Sequence, residues 1–200
     1  MTKSRVRSSF DAAYYRRFYR DRGTAVISRG EVSRLTGFVL AYMNFMSLPC
    51  RTVLDVGCGI GYWRDALRKH DRKITYTGIE VSTYLCDRYE WQQRSITEFK
   101  SRRHYDLIVC QGVLQYLSND DVRSGIKNLA RVCRGALYLE VYTREDRVNA
   151  NVDMRRTDPQ VHLRSVRWYR RLIGEHFAHC GGGVFIPHGS GVVRYELEKG

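Results

Sequence analysis

Residues 53–63 restrict what this chain can fold into more than any other stretch. Val53, Leu54 and Val56 make a short apolar run with β-branched residues, which reads as a buried strand. Gly57, Gly59 and Gly61 follow at alternate positions, and Trp63, Ala66 and Leu67 then recur at helical spacing. Strand, glycine turn and helix in that order hold a nucleotide-like ligand at the carboxyl end of a parallel strand. Glycine serves where the backbone takes a positive φ or approaches a ligand closely. The helix that follows offers N–H groups to an anion.

The glycine spacing separates two ligand classes. A dinucleotide site reads G-x-G-x-x-G, but here Tyr62 stands at the third glycine's place and Gly61 comes one residue early. With Asp55 ending the strand, the pattern is D-x-G-x-G-x-G, which resembles motif I of the class I S-adenosylmethionine-dependent methyltransferases. The resemblance implies an α/β, Rossmann-like, seven-stranded sheet, mostly parallel, with a C-terminal antiparallel hairpin and helices on both faces. It implies S-adenosyl-L-methionine as cofactor, its amino acid half wrapped by Asp55, Gly57, Cys58, Gly59 and Gly61.

The later segments are read in the same frame. Residues 74–79 form a second strand ending at Glu80. A carboxylate there can accept hydrogen bonds from two ribose hydroxyls at once, and the resemblance places its ribose-binding acid at this point. Val81 or Ser82 would border the adenine. The third strand is expected within residues 94–99, where the family often carries an acid; this chain has Ser95, so adenine contact falls to that hydroxyl or to the Ile96 backbone. Residues 105–110 are an almost continuous apolar run, as buried parallel strands are. Gln111 opens an exit resembling the segment that passes the cofactor's reactive end.

Helices are expected over residues 10–21, 31–47 (ended by Pro49) and 83–91, then from a cap at Asp120 through Val132, closed by Gly135, and from residue 161 onward. The fifth strand is expected at 136–142 and the final hairpin at 184–186 and 192–197. Arg164, Arg167 and Arg171 read as a solvated basic stripe. Residues 143–159 are polar and aperiodic, and a loop of that length in a compact domain usually has a function.

Two hundred residues suffice for one domain with a real core, here divided into a helical lid (1–48) and a catalytic core (49–200). Residues 1–9, basic and serine-rich, are expected to be disordered. The net charge of +13 suits nucleic acid, an anionic substrate or an acidic membrane surface. No apolar run approaches a membrane span, and the six scattered cysteines suggest reduced thiols in a cytoplasmic protein. His176, His179 and Cys180 lack the second ligand pair of a metal site, so no metal is expected. Oligomeric state is not legible.

For chemistry, His162 is the first candidate general base, with Tyr142 and His104 behind it. Tyr14, Tyr15 and Tyr19, with Arg155 and Arg156, are expected to line the substrate site. Arg29 and Arg34 lie near the segment that, in the family, often meets the cofactor's carboxylate. The favoured reading is methyl transfer to an O or N atom of a small aromatic or anionic molecule. A nucleic-acid methyltransferase using the basic surface is the alternative, although no D-P-P-Y-type tetrapeptide is present: Cys110, Gln111, Gly112 and Val113 stand there. A cofactor-binding regulatory protein is the non-enzyme alternative.

Overall fold

The computed structural model describes residues 10–194; the expectation for residues 1–9 lies outside that range. Seven strands form one sheet in the order β3-β2-β1-β4-β5-β7-β6. They are β1 (Thr52–Val56), β2 (Thr75–Glu80), β3 (Gln92–Gln93), β4 (Tyr105–Gln111), β5 (Cys133–Glu140), β6 (Phe177–Gly181) and β7 (Val184–Pro187). The first five run parallel, and β7 pairs antiparallel with both β5 and β6. Strand order reverses between β1 and β4, and open α/β sheets bind ligands at the carboxyl ends beside such a reversal.

Side-chain alternation along the central strands feeds two cores. Val53, Leu107 and Val109 face one side, against Val32, Val39 and Met43 of helix α2 (Arg29–Phe45) and Trp63 and Leu67 of α3 (Tyr62–His70). Leu54, Ile108 and Cys110 face the other, against Val122, Ile126 and Leu129 of α5 (Asn119–Val132) and Leu172 and Ile173 of α7 (Val166–Gly174). Helix α1 (Ala12–Tyr15) continues directly into a wider π turn (Arg16–Arg20), so the expected first helix forms with its second half under-wound. Helices α4 (Thr83–Tyr89) and α6 (Arg144–Val148) complete the set.

Several boundaries differ from expectation. The third strand is Gln92–Gln93, ahead of the expected segment, because Arg94 N already donates to Glu80 O and residues 95–98 turn back. Helix α5 is capped by Ser118, whose hydroxyl accepts from Asp121 N. Gly135 does not close that helix but lies inside β5. A Cβ there would come 2.3 Å from Asp106 O, so the strands can approach only at glycine. The fifth strand ends at Glu140, two residues early. Residues 143–159 are not a plain loop: they hold α6 and a 3-10 turn (Met154–Arg156). The hairpin is β6–β7, with its bend at Gly182 and Gly183; residues 191–194 are irregular, and 195–197 lie outside the described range.

Arg164 is also not on a solvated stripe. It precedes α7, whose cap is Ser165, and it is buried: its guanidinium donates to Asn119 Oδ1, Leu117 O and Tyr169 Oη and stacks on Trp168. It thereby fastens the 3-10 turn after β4 (Leu114–Tyr116) to the start of α7. The six cysteines form no disulfide among the described residues, and no helix among those residues is long and apolar enough to cross a membrane.

Candidate active site

Two adjoining chambers open at the carboxyl ends of β1, β2, β4 and β5. Tyr14, Tyr19, Gly57, Gln111, Gly112 and Tyr116 border both.

The glycine loop is the wall that strand β1 throws up between them. Gly57 has φ +66°, and a Cβ on it would stand 2.5 Å from Val113 Cγ2, so no other residue fits without moving the exit of β4. The loop satisfies itself. Gly57 N and Cys58 N donate to Ile79 O, Gly61 N to Cys58 O, and Gly59 N to Glu80 Oε2 at 3.0 Å. Trp91 Nε1 holds Gly59 O from outside at 2.9 Å. With these N–H groups engaged, the loop is not arranged as a pyrophosphate cradle.

Glu80, at the end of β2, lines the first chamber and is 4% exposed. Its Oε1 accepts from Val81 N at 2.7 Å and Ser82 N at 3.0 Å, while Oε2 takes Gly59 N. Burial pushes its carboxyl upward, and the three N–H groups oppose that shift. Three of about four lone-pair sites are thus taken, which leaves room for one further donor rather than the two expected. Val81, Ser95 and Ile96 line the same chamber. Asn128 Nδ2 grips Ile96 O and Thr97 O, and Ser95 Oγ is engaged with Thr97.

The second chamber holds Asp55, Cys58 and Gly59 on its inner side. Asp55 accepts from Tyr76 Oη at 2.6 Å, yet burial pushes its carboxyl up to about 7. Gln111 is held from both ends: Trp63 Nε1 donates to its Oε1 at 2.8 Å and its Nε2 donates to Glu140. Gly61 caps α3, touches Trp91 and lines neither chamber.

The chain ahead of β1 covers the opening. Ser82 Oγ donates to Phe10 O at 2.6 Å, Tyr14 Oη meets Tyr116 Oη at 2.9 Å, and the Phe10 and Tyr116 rings pack edge to face. Tyr14, Tyr15 and Tyr19 all line the first chamber. From the other side Arg156 Nε donates to Ala25 O at 2.6 Å and faces Glu31, so the segment after β5 is joined to the amino-terminal one across the cleft.

Other candidates are not brought together. His162 is exposed and lines the first chamber, its backbone N on Gln115 O; Tyr142 lines the second and donates to Met154 Sδ. The two are therefore not one catalytic pair. His104 is exposed and precedes β4, at the amino end of a central strand and so at the opposite end of the sheet from the chambers. Arg155 is bound to Asp153 and lines neither chamber, and Arg29 pairs with Asp65 and stacks on Tyr62. Sequence reading missed Tyr116, Gln115 and Asp158. Tyr116 and Gln115 sit in the exit of β4, where only Gln111 drew attention, and Asp158 sits in the polar stretch whose arginines were chosen instead.

Comparison with known proteins gives the same picture. Residues 11–182 match a family model described as "Methyltransferase domain". A ubiquinone biosynthesis O-methyltransferase of Coxiella burnetii is 31% identical over 113 residues, 50% of this chain and 47% of that protein. The chain spans about half the length of the curated relatives it matches. Among solved structures, magnesium protoporphyrin IX methyltransferase from Synechocystis PCC 6803 with bound S-adenosylhomocysteine superposes with TM-score 0.62 at 17% identity, covering 90% of each chain. The N-methyltransferase NodS of Bradyrhizobium japonicum WM9, also with S-adenosylhomocysteine, gives 0.59 at 18% identity, over 92% of this chain and 98% of that one. At such identities these two likenesses speak for the fold.

Proposed function

The chain belongs to the methyltransferase-domain family, with S-adenosylmethionine as its cofactor, and from that premise we propose that it methylates an O or N atom of a small molecule. The observation that carries the reading is Glu80, a buried carboxylate lining one chamber and tied to the glycine loop by Gly59 N. S-adenosylmethionine supplies, when bound, a methyl group already activated on a sulfonium. The work left to the protein is binding and orientation, which can contribute roughly 7–11 kcal/mol to such a reaction.

In this reading Glu80 holds a ribose hydroxyl, Val81 and Ile96 flank the adenine with Ser95 at its edge, and the glycine loop with Asp55 and Cys58 faces the amino acid half. Gln111, locked by Trp63 and Glu140, borders both chambers and fixes the passage between them. Gly61 acts one step removed, as the start of α3. Residues 10–22 act as a lid over both chambers, with Tyr14, Tyr15 and Tyr19 as its inner face. Tyr142 stands at the acceptor, whereas His162 stands on the cofactor side.

Small-molecule chemistry is supported by the relatives' named activities, a ubiquinone biosynthesis O-methyltransferase, an N-methyltransferase and a magnesium protoporphyrin IX methyltransferase. The aromatic lining favours an acceptor with an apolar part. The arginines that suggested an anionic acceptor are engaged elsewhere, Arg155 with Asp153 and Arg156 with Ala25 O and Glu31. Six mostly buried cysteines outside any disulfide suit a reducing compartment, and we place the protein in the cytoplasm. Calorimetry tests the central reading: S-adenosylhomocysteine should bind and NAD should give no heat. Binding of NAD with no response to S-adenosylhomocysteine would overturn it.

A further inference from the structure

The second chamber carries the opposite electrical character to the protein around it. The chain has a net charge of +13, yet the charged residues lining this chamber are the carboxylates Asp55, Glu140 and Asp158 and a single guanidinium, Arg156. Arg156 is turned away to Ala25 O and Glu31. Asp55 belongs to the glycine-loop side. Glu140 and Asp158 come from the end of β5 and the segment beyond it, across the chamber.

Asp158 is 9% exposed. Its Oδ1 accepts from Gln160 N at 2.9 Å, and its charge bears on the Tyr116 and Tyr14 hydroxyls. Among the described residues neither Asp158 nor Glu140 has an ion-pair partner. A buried carboxylate that meets only neutral donors, here Gln160 N and the Tyr116 hydroxyl, is costly unless a cation reaches it. A second, independent feature points the same way. Gln115, 8% exposed, puts its carboxamide in the wall of this chamber, and its Oε1 has no hydrogen-bond partner. Buried acceptors in native proteins are seldom left so. Ile27, Val152 and Val161 supply apolar wall beside these groups.

We propose that the outer side of the second chamber, across from the glycine loop, is the acceptor site for an amine-bearing molecule, its ammonium held by Asp158 with the Gln115 amide oxygen as a further acceptor. This rests on the reading of the first chamber and glycine loop as the cofactor site. An anionic acceptor would meet like charge there, and a neutral one would leave Asp158 without a counter-cation. Glu140, at the exposed end of β5, sets the sign of the field at the entrance and makes the smaller contribution.

The test uses the whole protein in two stages. First, titration with S-adenosylhomocysteine; failure to bind would bring down the cofactor reading, and this inference with it, before any amine is added. Second, the saturated protein is titrated with matched pairs, tyramine against 4-hydroxyphenylacetate and glucosamine against glucuronate, followed by calorimetry and by thermal midpoint. At least one amine should bind and raise the midpoint, and its carboxylate counterpart should not. Asp158→Asn keeps an oxygen for Gln160 N and so keeps the local turn. It should weaken the amine by about 10–100-fold, as loss of a charged hydrogen bond does, with S-adenosylhomocysteine affinity unchanged within about twofold. Gln115→Leu should give a smaller loss in the same direction. Equal or tighter binding of the carboxylates, no response to either amine, or an unchanged amine affinity in Asp158→Asn would each overturn the proposal.

Discussion

The two chambers share six residues and differ in how they are made. The first is built on strand ends and loops that follow one another in regular βα order: Glu80 and Val81 after β2, Ser95 and Ile96 after β3, Gln111 and Gly112 after β4. The second takes its outer wall from segments far apart in the chain: Ile27 before α2, Gln115 and Tyr116 after β4, Arg156 and Asp158 beyond β5. The first is held by backbone donors on one carboxylate. The second is held in addition by a side chain reaching across the cleft, Arg156 to Ala25 O, while the Tyr14–Tyr116 contact closes both. Under the reading proposed above, the carboxyl end of one sheet carries a cofactor site whose form follows local geometry, beside an acceptor site free to vary with its loops.

The largest expected effect lies in the first chamber. Glu80→Ala leaves Gly59, Val81 and Ser82 N–H groups without their acceptor, each bond to a charge being worth about 1.5–3 kcal/mol. Affinity for S-adenosylhomocysteine should fall by roughly 100-fold or more, and the thermal midpoint should drop as the glycine loop loosens. Wild-type affinity in this variant would break the distinction drawn between the chambers.

The next effect is one of pH. Burial raises the Asp55 carboxyl from 3.8 to about 7, so between these values the folded protein binds a proton that the unfolded chain has released. Stability from this group is therefore full below about pH 4, falls as pH rises, and levels off above about 7. Asp55→Asn keeps an acceptor for Tyr76 Oη and removes the titration. Measured as the difference between variant and wild type, the wild-type midpoint should decline relative to Asp55→Asn from pH 4 to 7. A constant difference across that window would show that Asp55 is not held protonated.

Arg156→Ala should separate the chambers functionally. Cutting its bond to Ala25 O releases the amino-terminal segment from the far wall, and kcat/KM for the acceptor should fall by about tenfold, the scale of one charged hydrogen bond. Cofactor affinity should hold within about twofold. An equal loss in both would mean that the two sites are one mechanical unit. The smallest effect belongs to Arg155→Ala. Its side chain is 83% exposed and pairs only with Asp153 among the described residues. Exposed pairs of this kind contribute about 0–1 kcal/mol, so turnover and cofactor binding should both stay within about twofold; a larger loss would bring Arg155 back to the acceptor site.

What the sequence determined by itself is the part written in short-range pattern. The run of Val53, Leu54 and Val56, the three alternate glycines, and Glu80 one βα unit later fix a strand, a turn and a carboxylate at neighbouring strand ends, because each needs only its own few residues and the pairing of β1 with β2. The apolar run of β4 announces a strand covered on both faces for the same reason. What only the tertiary structure decided depends on contacts between distant segments. Gly135 reads locally as a helix stop but is a strand residue, because Asp106 O lies where its side chain would be. Arg164 reads as surface charge but is buried, because the turn after β4 presents carbonyls to it. Arg155 and Arg156 look alike in the chain, yet one faces solvent and the other bridges the cleft. Asp158 drew no notice among its charged neighbours and became a buried carboxylate of the second chamber, with no ion-pair partner among the described residues. Charge in a sequence is only a count; which charges are buried together, and without partners, is settled when segments more than a hundred residues apart close on one another.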